Sequence, residues 1–304
     1  MMEEKKQTEQ AMADIATLGK DGVVGTICFQ HNLFMASAID IKTGIMLPDL
    51  MFVVQNKYAT IKDFVNDIPN WFTKKFKAVI LDVFDFQTPE YANNVEFCKA
   101  VQAKLNVNGI PHHFMASQDL AVFTWLYMAK LQVKVEQTIL VISVNVIGYR
   151  VFCYQLTDKG YIFKDGEYVS GDKSDKMILK KILGIENKFA KILINDTNDD
   201  GILCDRLVNN VLHAFTDKIT VQKDFNLNPE SAFFHIGKCL VEAGKWIRNK
   251  KSSNTFILPS AVRQYMILTE IHGIYRALIT VAPTVSLPVT ESDALHKSSN
   301  IKFF

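Results

Sequence analysis

What this chain lacks narrows its class first. Its five cysteines, Cys28, Cys98, Cys153, Cys204 and Cys239, are odd in number, widely spaced and without a C-x-x-C pair, so neither a disulfide framework nor a zinc site is written here. They read as small buried apolar residues of a reducing compartment. An excess of one charge is missing too: 34 Lys and Arg face 32 Asp and Glu, a net charge of +2, too weak a field to draw the chain onto nucleic acid unaided. No stretch reaches the roughly 18 to 20 apolar residues that span a bilayer, and Met1 to Gln10 is charged and polar. A cytoplasmic protein without membrane contact is expected. Only 14 Gly and 8 Pro among 304 residues exclude a collagen.

What is present is ordinary globular material, 48% hydrophobic and 22% charged, enough for two lobes with cores of their own. Residues 1–20 read as a flexible lead-in. From Gly22 to Ala38, β-branched and aromatic residues interrupted by Gln30, His31 and Asn32 predict two strands and a tight turn. Ile45 to Val54 predicts a third strand, and Lys77 to Val83, a continuous Val, Ile and Leu run, predicts one buried on both faces. Thr88 as cap and Pro89 in the first turn predict a helix to about Leu105, with Tyr91, Val95, Cys98 and Val101 as its apolar side. A second helix is expected from Ser117 to about Gln132.

The succession then repeats. Strands are predicted at Thr138 to Val146, Gly148 to Leu156, Gly160 to Phe163 and Lys191 to Asn195, then helices at about Ile202 to Phe215 and Asn228 to Ile247. Two similar α/β lobes with a cleft between them follow from that order. The expected division is lobe I over 21–134, lobe II over 135–247, a linker over 248–260, and a partial β-subdomain and tail over 261–304. In that last part Tyr265 to Ile271 and Ile274 to Val281 look like strands, and residues 290–300 look loose.

Several of these stretches resemble the heat-shock 70-kilodalton chaperone family of the actin-like ATPase fold. Lys77 to Leu105 resembles the family's A-V-I-T-V-P-A-Y-F strand and helix, and Thr138 to Leu156 is similar to its second phosphate strand pair, V-L-I-F-D-L-G-G-G-T-F-D-V-S-I-L. Lys191 to Asp199 matches the strand before the adenosine loop, and Asn228-Pro229-Glu230 with Ala232 keeps an N-P-x-x-A helix start. Thr255 to Ser260 sits where the interdomain linker belongs, and Gly273 to Pro288 resembles the first hairpin of the peptide-binding domain. The resemblance covers about residues 21 to 290. It implies a two-lobed actin-like (ribonuclease H-like) α/β fold that lacks most of the inserted subdomains, because the spans from Val54 to Lys77 and from Phe163 to Lys191 are short, and that ends in a short C-terminal β fragment.

The nucleotide loops that the resemblance implies are degenerate. Gly25-Thr26-Ile27-Cys28-Phe29-Gln30-His31 keeps only its glycine, with Ile27 at the carboxylate position. In the second loop, Ser143-Val144-Asn145-Val146-Ile147-Gly148 loses its carboxylate and two glycines to β-branched residues. Met115-Ala116-Ser117-Gln118-Asp119-Leu120-Ala121 replaces N-E-P-T-A-A-A, and Asn195-Asp196-Thr197-Asn198-Asp199, followed by Asp200, replaces G-G-S-T-R. Each acid in that third loop would oppose a polyphosphate by about 1 to 2 kcal/mol at an effective dielectric of about 20 to 40. The expectation is therefore no catalytic residue, no metal and no required cofactor: a chaperone-like chain that lost its ATPase and binds other proteins, clients or co-chaperones. The alternative is weak ATP or ADP binding through the degenerate positions Gly25, Thr26, Gln30, Ser143, Asn145, Gly148, Asn195 and Thr197.

Other signals read more plainly. Asp196-x-Asn198-x-Asp200-Gly201 imitates a calcium loop, but its twelfth position is Leu207 instead of glutamate. Asn195-Asp196-Thr197 fits a glycosylation acceptor by chance. His112-His113 lacks neighbouring metal ligands, and nothing nearby orients His31 toward Cys28 as a nucleophile pair. Asp82 and Asp85 read as ordinary loop acids. Lys74 to Lys77 and Lys245 to Lys251, interleaved with Phe76 and Trp246, read as solvated surface, and Phe303-Phe304 as a tail that offers an anchor to a partner.

Overall fold

The computed structural model of the chain describes residues 20–30, 32–197, 201–222, 229–249, 255–259, 265–271, 274–281 and 300–303. These pack as two compact units, the first drawn from Met1–Thr124 and Asn228–Lys251, the second from Trp125–Leu227 and Ser252–Phe304.

In the first unit, lobe I, β1 (Val23–Gln30) and β2 (Leu33–Asp40) form the predicted hairpin, in register from Val23 opposite Asp40 to Gln30 opposite Leu33. Asn32, at φ 62°, takes the left-handed turn conformation that asparagine tolerates. The expected third strand shrinks to β3 (Phe52–Val53), because Pro48, which has no N–H to give a ladder, opens a 3-10 turn over Pro48–Leu50. One helical turn, α1 (Val54–Lys57), leads to α2 (Ile61–Trp71), whose Ile61, Phe64, Val65 and Ile68 are buried at helical spacing. Thr60 and Asp63 close a reciprocal capping box at its start.

The apolar run predicted from Lys77 becomes β4 (Phe76–Asp82), parallel to β1 and followed by α3 (Asn94–Val107). That helix starts later than Thr88. Asn93 accepts the N–H of Glu96 and is the true cap, while Asn94 donates its amide to the carbonyls of Val83 and Phe86 and pins the preceding turn. The Thr88-Pro89 turn instead delivers Glu90, whose carboxylate accepts the Ile61 and Lys62 N–H groups at the head of α2. The buried side of α3 is Phe97, Val101 and Leu105; of the predicted stripe Val101 lies on it, Cys98 is half-buried and Val95 is exposed. β5 (His112–Phe114) joins β4 in parallel, and α4 (Ser117–Ala129) follows.

In lobe II, β6 (Thr138–Asn145) and β7 (Gly148–Leu156) form a second hairpin. The next strand, expected to end at Phe163, runs on as β8 (Tyr161–Ser170) because its polar half stays paired with β7. α5 (Asp175–Ile185) fills the span before β9 (Lys191–Asp196). The helix expected at Ile202 begins there as α6 (Ile202–Arg206), behind Gly201 at φ 64°, then widens into a π turn and tightens into 3-10 turns before β10 (Ile219–Gln222). The last long helix, α7 (Pro229–Asn249), was expected in lobe II but lies against β1, β2 and β4 of lobe I.

The two sheets have one plan. Lobe I runs β3-β2-β1-β4-β5 and lobe II runs β8-β7-β6-β9-β10, with the first two pairings antiparallel and the last two parallel in each. This repeated order is the α/β actin-like ATPase arrangement, with the short α1 and α2 in one span and α5 in the other where the sequence lacks larger insertions.

Of the expected linker, residues 250–254 and 260 lie outside the described residues. Phe256 and Ile257 are buried, the Tyr161 N–H donates to the Phe256 carbonyl, and the Leu258 N–H donates to the Tyr161 carbonyl, both at 2.8 Å. The two terminal strands appear at their predicted bounds, β11 (Tyr265–Ile271) and β12 (Ile274–Val281). A third, β13 (Asn300–Phe303), pairs antiparallel with β11, so Phe303 belongs to a strand and not to a tail, while Phe304 lies outside the described residues.

Candidate functional site at the C-terminal strand edges

Ligands of parallel α/β sheets meet the carboxyl ends of the strands, so that edge of each lobe is where function would be built. In lobe I, Gly25 lies within β1, where a Cβ would come within 2.8 Å of the Phe72 ring and 2.9 Å of the Phe76 ring. Its glycine serves aromatic packing. Thr26 is buried and its hydroxyl lies 2.6 Å from that of Ser37 across the hairpin. Gln30 closes the backbone ladder opposite Leu33, and His31 lies outside the described residues. Ile27 is fully buried, and the Phe29 ring meets Phe86 edge-on at 5.1 Å.

The polar centre of this edge is a pair that the sequence reading set aside. Asp82, the last residue of β4, is buried opposite Cys28 in the register, and its Oδ1 accepts the hydroxyl of Ser117, the first residue of α4, at 2.7 Å. Burial first, and the Asp82 carboxylate second, push the Cys28 thiol up to about 12, so it stays protonated at neutral pH and supplies no thiolate nucleophile. The signal for Asp82 was present as an acid closing a wholly apolar run. Nothing local marked Ser117 as its partner.

In lobe II, Asn145 spends its side chain on its own turn: Oδ1 accepts the N–H groups of Ile147 at 3.1 Å and Gly148 at 3.0 Å. Gly148 opens β7. Thr197 donates its hydroxyl to the Val144 carbonyl at 2.6 Å, and its N–H reaches the same oxygen at 3.1 Å. Ser143 is half-buried on β6 and pairs in register with Asn195 of β9. Residues 198–200, which hold two of the three loop acids, lie outside the described residues; Asp196 is buried at the end of β9.

Asn195 is only 1% exposed, and its Oδ1 has no hydrogen-bond partner among the described residues. Gln222 is its register partner on β10, and the buried Oε1 of Gln222 has none either. An acceptor buried without a donor costs about 1 to 3 kcal/mol. Gln222 was not foreseen, because the four residues of β10 gave too short a β-branched run to register as a strand.

The hairpin tip Val146 and Ile147 is 80% and 66% exposed, beside Ile202. With Ser170, Gly171, Asp172 and Leu203 these side chains line a cavity of about 510 Å³. Both histidines of β5 are half-buried: His112 Nδ1 lies 2.8 Å from the Ile110 carbonyl oxygen, and the His113 ring lies 5.5 Å from that of Trp246. Among the described residues no group of three His, Cys, Asp or Glu side chains is placed to hold a metal ion, and no helix is long and apolar enough to cross a membrane.

No protein-family model matches the chain, and no curated protein matches it. Among solved structures it is similar to a protein with an actin-like ATPase fold and unknown function from Bacteroides thetaiotaomicron, at 9% identity over 71% of this chain and 96% of that one, with a TM-score of 0.32. It is also similar to an archaeal actin homologue, at 9% identity over 73% and 99% with a TM-score of 0.35. A third is an inorganic polyphosphate/ATP-glucomannokinase from Arthrobacter sp. strain KM, at 12% identity over 73% and 99% with a TM-score of 0.34. At overlaps this low, the actin-like assignment stands on the strand order, direction and register repeated in the two lobes.

Proposed function

We propose that this chain is a non-hydrolysing relative of the heat-shock chaperones that works by binding other proteins, clients or co-chaperones. The observation that carries the reading is the tip of lobe II. Where the resemblance places glycines that let backbone N–H groups approach phosphate, Val146 and Ile147 project their side chains outward, and the turn beneath them is already closed by Asn145. Exposed β-branched side chains at a strand end suit an apolar partner better than a triphosphate.

The remaining positions point the same way. The hydroxyls of Thr26 and Thr197 are engaged with Ser37 and Val144, and Gly25 makes room for two rings. This donor set does not fit a polyphosphate, so no hydrolytic step is derived from it. A phosphate-release assay on the purified chain with Mg-ATP is expected to stay below about 10⁻⁴ per second, slower than unassisted GTPases. Thermal unfolding with ATP or ADP is expected to be unchanged. A bound nucleotide at a hundred times its Kd would add about 2.7 kcal/mol and would establish the nucleotide-binding alternative instead. Turnover above the stated rate would overturn the reading.

A further inference from the structure

Ser143, Asn195 and Gln222 form a row. They are register partners on β6, β9 and β10, three parallel strands, so their side chains leave one face of the lobe II sheet at the carboxyl ends. Two members of the row, Asn195 Oδ1 and Gln222 Oε1, are buried acceptors without a donor among the described residues. The orientation of Gln222 is set from its other end, since Nε2 donates to the Trp125 carbonyl at 3.1 Å in the last turns of α4. Neighbouring strands lie about 4.8 Å apart, so one small group placed between the two oxygens would reach both.

The chemistry of that group is constrained. Two acceptor oxygens repel an anion. A divalent ion needs carboxylates to offset its dehydration, and the nearest acid in the chain, Asp196, alternates to the opposite face of β9. Neutral amide oxygens replace the hydration shell of a monovalent cation, as carbonyls do in potassium filters, and the carbonyl end of α4 beside Gln222 adds negative potential. We propose that Asn195 and Gln222, with the Ser143 hydroxyl in the same row, hold a monovalent cationic centre, either potassium or an ammonium group. Ser143 and Asn195 are two of the degenerate phosphate-loop positions, but the site proposed does not require nucleotide.

The test is thermal unfolding of the full chain in chlorides of potassium, ammonium, methylammonium, sodium and N-methylglucamine at one ionic strength. A saturable rise in Tm of about 2 to 4 °C is expected with potassium or the ammonium ions and not with N-methylglucamine. A response to potassium identifies an inorganic ion, and a response to methylammonium alone identifies the amine of a ligand. Gln222→Met is expected to abolish the rise, and Gln222→Glu to lower the half-saturating concentration several-fold. Equal Tm in all five salts, or a rise that survives Gln222→Met intact, overturns the proposal. Should that variant fail to fold, crystals of the unaltered chain grown in rubidium and in methylammonium chloride decide the matter. Density for either cation between the two oxygens supports the site, and an ordinary water there in both salts overturns it.

Discussion

The two lobes share a strand plan and almost nothing else. Lobe I is built on rings: Phe34 meets Phe64, Phe86 and Phe97 at 5.5, 4.3 and 5.7 Å. Lobe II is built on aliphatic side chains, with Leu140, Ile142, Val144, Ile192 and Ile194 facing Ile178 and Ile182. Superposing the hairpin ends, where Gln30 pairs with Leu33 and Asn145 with Gly148, puts Cys28 at the place of Ser143 and Asp82 at the place of Asn195. Each lobe thus carries a buried acceptor at one equivalent position. In lobe I the chain supplies Ser117 as a donor; in lobe II the Asn195 oxygen has none. Register fixes the plan, core composition is free within it, and the positions where the lobes answer one constraint differently are where function separates them.

The largest effect that sharpens this comparison is in the cores. Phe34→Ala removes a fully buried ring from a cluster that cannot close around the void, and is expected to cost about 3 to 5 kcal/mol. Ile194→Val in the aliphatic core is expected to cost about 0.5 to 1.5 kcal/mol. Urea unfolding followed by amide exchange in each lobe measures both. Loss of protection spread evenly over the two lobes in Phe34→Ala would break the claim that the cores are separate.

A smaller effect tests the equivalent acceptors. Ser117→Ala takes a donor from the buried Asp82 carboxylate and is expected to cost about 1 to 3 kcal/mol. Asn195→Leu, measured with N-methylglucamine as the only cation, removes an acceptor that has no donor to lose and is expected to stay within about 1 kcal/mol of the unaltered chain. Similar losses from both substitutions in equilibrium unfolding would show that Asn195 is satisfied after all.

Much of this plan was legible because strands announce themselves by composition. Lys77 to Val83 and Thr138 to Leu156 had to be strands once their apolar content was set against their length, and Tyr265 to Val281 fell within a residue of its predicted bounds. Boundaries failed where a side chain from elsewhere decided them. Thr88-Pro89 carries a good helix start, yet Asn94 anchors the turn through Val83 and Phe86, and the start moves to Asn93. The polar half of β8 had no pattern of its own and is a strand because β7 pairs with it. The site was legible only as a loss. Which residues were missing could be read along the chain, but the row of Ser143, Asn195 and Gln222 and the contact of Asp82 with Ser117 exist only across strands.

The smallest effect concerns alkaline pH, where each lobe holds thiols raised by burial. Burial holds the thiols of Cys28 and Cys239 in lobe I, and of Cys153 in lobe II, at about 12 against an ordinary 9.0. A thiol whose folded value is raised contributes stability that is complete below pH 9 and is lost as the pH climbs toward 12, because only the unfolded chain releases the proton in that window. Phenols are raised in both lobes, the half-buried Tyr58 and Tyr91 in one and the buried Tyr149 and Tyr161 in the other, and they enter only above their ordinary 10.0. Between pH 9 and 10 the loss of stability is therefore carried by thiols. Each thiol contributes at most about 1.4 kcal/mol per pH unit. Amide exchange read lobe by lobe is expected to show protection falling as the pH rises above 9, with Cys28→Ala making the lobe I slope shallower and leaving the lobe II slope unchanged. A lobe I slope that Cys28→Ala leaves unchanged would mean that the thiol beside Asp82 is wetter than its burial implies, and that the two strand edges differ less than their side chains suggest.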